Sequence, residues 1–179
     1  VNQILGTAAL LEGKAILSLD QTGLSQKGGP VVSHLKILDQ SQPLSNKVGL
    51  ASADAYLVFD LLGGTTEANL SHAQPEQTVA VASLSQTPTG TMVTSPAIRF
   101  PEEELLRRRL EAQTRAGQNV YLEAQELAER LFGSHMLANM IVAGAAYQAG
   151  LLPLSAAAIE QAIRLNGVTV ETNLQAFRV

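Results

Sequence analysis

Short apolar runs alternate along this chain with stretches of helical periodicity. Ala15–Leu19, Ala55–Phe59 and Thr78–Ser83 are continuous runs of apolar and small residues, which predicts strands covered on both faces. Val31–Ile37 alternates instead. Val31, Leu35 and Ile37 are expected on one side, His34 and Lys36 on the other, as on an edge strand or one lining a site. A last short strand is expected at Asn119–Leu122.

Helices fill the intervals and most of the second half. Ile4, Ala8 and Leu11 share a helical face that Gly13 would close. Pro101 stands where a helix would begin, and Glu102, Glu103 and Glu104 suit the positive end of its dipole. Glu103–Arg107 and Glu104–Arg108 are spaced as i,i+4 pairs. Ala124, Leu127, Ala128, Leu131 and Phe132 trace a core-facing stripe with Gly133 as its stop. An apolar helix near His135–Ala149 ends at Gly150, Ser155 caps a helix ending near Gly167, and Val170, Leu174 and Phe177 give a final amphipathic segment. Asp39–Val48 and Ser85–Pro96, rich in Ser, Thr, Gln and Pro, read as surface loops. The pattern predicts one α/β domain over residues 1–179, with a more helical second half.

Composition narrows the function classes. At 179 residues and 46% hydrophobic, the chain can bury a core. A net charge of −4 argues against a dedicated nucleic-acid binder. The longest apolar segment, Met136–Ala149, contains Asn139 and Gln148 and is shorter than the roughly 20 residues of a membrane span. Without cysteine, the chain offers no disulfide, no thiolate zinc site and no cysteine ligand for an iron–sulfur cluster. Opening at Val1 and stopping at Val179 inside helical patterns, it is expected to be a piece of a longer polypeptide.

Little in it carries bond-making chemistry. His34, His72 and His135 lack ligand-like spacing, and no metal site is expected. There is no G-x-S-x-G elbow, and Gly63-Gly64 lacks the lysine and spacing of a phosphate loop. Arg107–Arg109 reads as a solvated helix face paired with the preceding glutamates rather than a phosphate site. The candidate lies in Thr22–Ile37, where Ser25, Gln26, Lys27, Gly28 and Gly29 form a polar, glycine-paired loop with one positive charge. A tight turn needing glycine for geometry alone is the alternative. Asp20, Asp60 and Thr87 follow three expected strands, and those polar ends would converge on one edge if the strands were parallel. These are positioning groups, and no catalytic nucleophile or base is identified.

Three blocks carry a family resemblance. L-D-Q-T-G-L-S-Q-K-G-G-P-V-V-S-H-L-K-I (Leu19–Ile37) and A-D-A-Y-L-V-F-D (Ala53–Asp60) resemble the gamma-type domain of 2-oxoacid:ferredoxin oxidoreductases, most closely the indolepyruvate enzymes. So does A-Y-Q-A-G-L-L-P-L-S-A-A-A-I-E-Q-A-I-R-L-N-G-V-T-V-E-T-N-L-Q-A-F-R (Ala146–Arg178), with its Leu-Pro-Leu-Ser, Asn166-Gly167 and closing Ala-Phe-Arg.

The resemblance implies a three-layer α/β/α, Rossmann-like domain with a mostly parallel or mixed sheet and a helical C-terminal part, inactive alone and packed beside thiamine diphosphate domains. The whole enzyme would decarboxylate an aryl 2-oxoacid, pass electrons through iron–sulfur clusters to ferredoxin or a similar acceptor, and release an acyl-coenzyme A. Ser25–Gly29 would face the neighbouring domains near coenzyme A and substrate, with Ser33 and His34 on the strand behind. The cofactors would sit on other domains or subunits, none on this chain alone. A first strand with a glycine-rich turn, usual in the family, is expected to be missing before Val1. A cytoplasmic location and partners that are other domains or subunits are expected with the same resemblance, while charge and apolar length argue against nucleic acid and membrane; homodimerisation stays an open expectation. The competing expectation is a stand-alone Rossmann-like module for small-molecule binding or assembly.

Overall fold

A computed structural model describes residues 1–22, 31–88, 90–95 and 99–179, without the side chains of residues 22 and 91. Helix α1 (Asn2–Leu11) leads into an antiparallel ribbon of β1 (Ala15–Thr22) and β2 (Val31–Leu38). Strand β3 (Ala55–Val58), helices α2 (Leu61–Gly64) and α3 (Glu67–Leu70), and β4 (Val79–Ser83) follow. Then come α4 (Gly90–Thr94), α5 (Glu103–Glu111), β5 (Val120–Leu122), α6 (Ala124–Phe132), α7 (Ala138–Gln148), α8 (Ala156–Asn166) and α9 (Val170–Arg178). Strands β3, β4 and β5 form a parallel sheet in that order, Leu57 opposite Val81 and Ala82 opposite Tyr121.

All of β4 is buried, which explains its run of small and β-branched residues. Val81 joins the larger core with Ile4, Ala8, Ala128, Val142, Ile159 and Phe177 from the helices on that face. Ala80 and Ala82 point the opposite way, toward Leu61, Leu70, Leu106 and Leu110. The parallel sheet is thus the middle of three layers. Leu106 and Leu110 are fully enclosed, and burying each side chain contributes roughly 1.5–3 kcal/mol relative to exposure. The ribbon packs Ile16, Leu35 and Ile37 against the larger core, so the α/β fold holds a mixed set of strands.

The predicted stops and caps of the helical half are present. Gly133 and Gly167 take left-handed φ of 67° and 73°, closing α6 and α8. The Ala158 N–H donates to Ser155 Oγ at 3.2 Å, and the Ser155 N–H donates to Glu12 Oε1 at 2.8 Å, tying the start of α8 to the end of α1.

Several expectations change. Strand β1 is not covered on both faces: residues 15–21 are partly or fully exposed, because among the described residues its strand partner is β2 alone and α1 shields a single side. On β2, Val31 is 63% exposed whereas His34 is buried, so alternation alone misjudged which positions are covered. The stripe on α6 is wider than its core contact. Ala124 and Ala128 are fully buried, but Leu127 and Leu131 are 36% and 54% exposed. Leu11 likewise turns outward on α1, where Leu5 and Ala9 are buried beside Ile4 and Ala8. Helix α5 starts at Glu103, and Arg107 pairs with Glu111 rather than Glu103.

Candidate functional site

Residues 25–29 of the candidate loop lie outside the described residues. The structure does describe both stems: Thr22 pairs with Val31, so the chain leaves and re-enters the ribbon at one place. An antiparallel connection removes the parallel geometry on which convergence of strand ends depended. Asp20 belongs to the ribbon, whereas Asp60 and Thr87 follow β3 and β4 of the parallel sheet.

Asp20 is a structural acceptor at the stem. Ser33 Oγ donates to its Oδ1 at 2.5 Å across the ribbon, and Asn2 Nδ2 donates to the same oxygen at 2.7 Å. The hydrogen bond from Ser33, then that from Asn2, holds the carboxyl below its ordinary range, so it stays ionised and accepts only. Asn2 also donates to Ser18 Oγ at 2.9 Å, fastening α1 to β1.

His34 projects from the other side of β2. Its Nε2 donates to Gln21 Oε1 at 3.2 Å, and its Nδ1 accepts from the Val48 N–H at 3.4 Å. A second ring, His72, stands edge-on with centroids 4.9 Å apart. Sequence reasoning missed His72 because it is a lone histidine in a polar stretch, and nothing local signals a partner 38 residues upstream.

At the carboxyl end of the parallel sheet the polar groups serve one another. Asp60 caps α2, accepting from the Leu62 and Gly63 N–H groups at 3.2 and 3.3 Å. Ser83 Oγ donates to Ser85 Oγ at 2.9 Å, and Ser85 Oγ accepts from the Gln125 N–H at 3.1 Å. Gln125 Nε2 donates to Thr87 Oγ1 at 3.1 Å. These bonds fix the loop after β4 to the start of α6. Tyr56, whose hydroxyl donates to the Gly64 carbonyl at 2.8 Å, is pushed up to about 12 by burial and remains a donor.

The arginine run behaves as a helix face. Arg107 lies over the Tyr121 ring at 4.4 Å and reaches Glu111 at 3.8 Å, while Arg108 bonds Glu104 at 2.9 Å. Arg109 lines a shallow groove of about 640 Å³ with Thr65, Glu67, Ser71 and Gln113, remote in composition from the candidate loop. Among the described residues no group of three or more His, Cys, Asp or Glu could hold a metal ion, and no helix is long and apolar enough to cross a membrane. The geometry positions and orients. It offers no poised nucleophile–base pair among the described residues.

A family model described as pyruvate ferredoxin/flavodoxin oxidoreductase matches residues 1–179. No curated protein sequence matches the chain. Among solved structures, the gamma subunit of a keto/oxoacid ferredoxin oxidoreductase from Geobacter sulfurreducens superposes with a TM-score of 0.62 at 16% identity, over 99% of this chain and 85% of that one. A pyruvate oxidoreductase subunit from Thermotoga maritima gives 0.65 at 16% identity, over 99% and 84%. A 2-oxoglutarate:ferredoxin oxidoreductase from Magnetococcus marinus, solved with 2-oxoglutarate, coenzyme A and succinyl-coenzyme A bound, gives 0.67 at 14% identity. There the match covers 98% of this chain and 27% of a much longer one. At such identities the structures establish a shared fold.

Proposed function

Since the chain belongs to the pyruvate ferredoxin/flavodoxin oxidoreductase family and so forms part of an oxidoreductase, we propose that it is the gamma-type domain or subunit of an aryl 2-oxoacid:ferredoxin oxidoreductase, with indolepyruvate as substrate. The observation that carries this reading is the family match along the whole chain, taken with the Leu19–Ile37 and Ala146–Arg178 blocks. Residues 1–179 then act as one domain that does not turn over alone.

Its contribution is interface and positioning. Thiamine diphosphate, when bound, supplies the carbanion chemistry of decarboxylation, and the residues that hold it belong to other parts of the enzyme. With no cysteine here, cysteine ligands for iron–sulfur clusters come from elsewhere too. Coenzyme A is the ligand this chain would approach. Lys27, flanked by backbone N–H groups and by Gly28 and Gly29, suits a phosphate-bearing molecule. The ribbon stem supports that role: Asp20, Ser33 and Asn2 lock the end of the ribbon where the chain leaves and re-enters it. Exposed apolar side chains support a buried interface in the assembly, Leu131 at 54% and Met136 at 79% exposure. Solved relatives in the fold occur both as a separate subunit and within a longer chain, and either arrangement fits.

Anaerobic turnover by the complete enzyme, with coenzyme A and an artificial electron acceptor, is expected to be faster with indolepyruvate than with pyruvate or 2-oxoglutarate at equal concentration. Preference for either aliphatic acid would overturn the aryl assignment while leaving family membership intact.

A further inference from the structure

We propose that His34 and His72 form a proton-sensitive latch that fastens the segment 45–53 between the ribbon and the end of α3 and opens on acidification. The proposal is independent of the oxidoreductase reading. It rests on two buried imidazoles, edge to face at 4.9 Å, whose nitrogen roles are dictated by their partners.

The Gln21 oxygen only accepts, so His34 carries its proton on Nε2; its Nδ1 is the lone-pair nitrogen that takes the Val48 N–H. The Gly49 carbonyl only accepts, so His72 carries its proton on Nδ1, donating at 3.0 Å. An accepting Nδ1 makes the His34 ring neutral, and each ring grips one of two consecutive residues, Val48 and Gly49.

The rest of the fastening is backbone and one lysine side chain. The N–H of Ala51 donates to Ser71 O at 2.9 Å, and those of Ser52 and Ala53 donate to His72 O at 3.0 Å. Lys36 Nζ donates to Ser45 O at 2.8 Å. Ala51 sits at φ 47°, a left-handed conformation that a non-glycine residue leaves readily once its neighbours let go. The segment is thus held down against its local preference.

A proton added to His34 must go to Nδ1. The Val48 contact then becomes donor against donor, while the bond from Nε2 to Gln21 survives. The charged and titratable groups facing His34 are Lys36 on its own strand, Lys47 on the segment, and His72. None of these offers a compensating negative charge. Burial first, then His72, Lys47 and Lys36, hold His34 below its ordinary value. For a lowered imidazole pKa the open state binds the proton more readily than the closed one. The latch is therefore complete above about 6.5 and weakens as pH falls below that value toward the lowered one.

Hydrogen exchange of the protein at its encoded length, corrected for the intrinsic pH dependence of exchange, reads this directly. Between pH 7.5 and 5 the opening of peptides spanning 45–53 is expected to rise toward ~tenfold per pH unit below 6.5, while those from α8 stay constant. His34→Asn, which keeps an acceptor near the Nδ1 position but does not titrate, is expected to flatten that slope. His72→Asn, retaining a donor toward Gly49, should lessen it. Exchange over 45–53 that is independent of pH in the unaltered protein would overturn the latch, as would an unchanged slope in His34→Asn with α8 intact. The first of these outcomes requires no variant to fold.

Discussion

Replacing Gly144 with alanine is expected to lower the stability of this domain by about 3 kcal/mol, near the upper end for overpacking in a tight core. A Cβ built at Gly144 on α7 would lie 2.2 Å from the carbonyl oxygen of Phe177 on α9 and 3.0 Å from its carbonyl carbon. The obstacle is backbone, so rotating a side chain cannot relieve it. The helices must separate, and separation disturbs Phe177 and Tyr147, whose rings sit 5.6 Å apart beside the core. Gly117→Ala is the control, since a Cβ there meets nothing within 4 Å and the backbone is not left-handed. Calorimetry of the protein at its encoded length, with hydrogen exchange identifying the transition that contains α7 and α9, checks the pair. A drop of several degrees is expected for Gly144→Ala and almost none for Gly117→Ala.

Gly28→Val and Lys27→Ala, introduced into the complete enzyme, are expected to cut acyl-coenzyme A formation about 10- to 100-fold. That is the scale of one lost charge-assisted contact of about 1.5–3 kcal/mol. The two should differ in kind. Removing the Lys27 charge weakens coenzyme A binding and raises its KM, an effect that salt screening would reproduce in the unaltered enzyme. Adding a branched Cβ at Gly28 restricts the backbone and lowers turnover at saturating coenzyme A. Since the stem is fixed by Asp20, Ser33 and Asn2, neither change should melt the ribbon. Turnover near that of the unaltered enzyme for Gly28→Val would remove the loop from the site.

The middle layer and the helical tail were legible in the sequence because their causes are local. Val79–Ser83 is apolar throughout since both faces are covered, and Ser155 and Gly167 mark the ends of α8 through capping chemistry within a few residues. What stayed hidden depends on distant partners. Ala15–Leu19 reads like a buried parallel strand, yet β1 finds an antiparallel neighbour, and periodicity does not name the strand across the ladder. Leu127 and Leu131 continue the helical stripe of α6 yet stay exposed, while Ala124 and Ala128 are buried and Phe132 is partly covered against the core. A similar limit applies to Asn119. It accepts from the Ala80 N–H at 2.9 Å and donates to Thr114 Oγ1 at 2.7 Å, a role no local pattern announces. Of the candidate site, the motif around Lys27 and its two glycines stood out from composition, whereas the pairing of His34 with His72 required the fold.

Isolation of the native protein at its full encoded length, with mass, iron and thiamine content recorded together, tests membership in a larger oxidoreductase most directly. A large polypeptide or stable complex carrying both iron and thiamine diphosphate is the expected result. A species of about 18.9 kDa, the mass of this chain, with neither cofactor and no copurifying partner would contradict it.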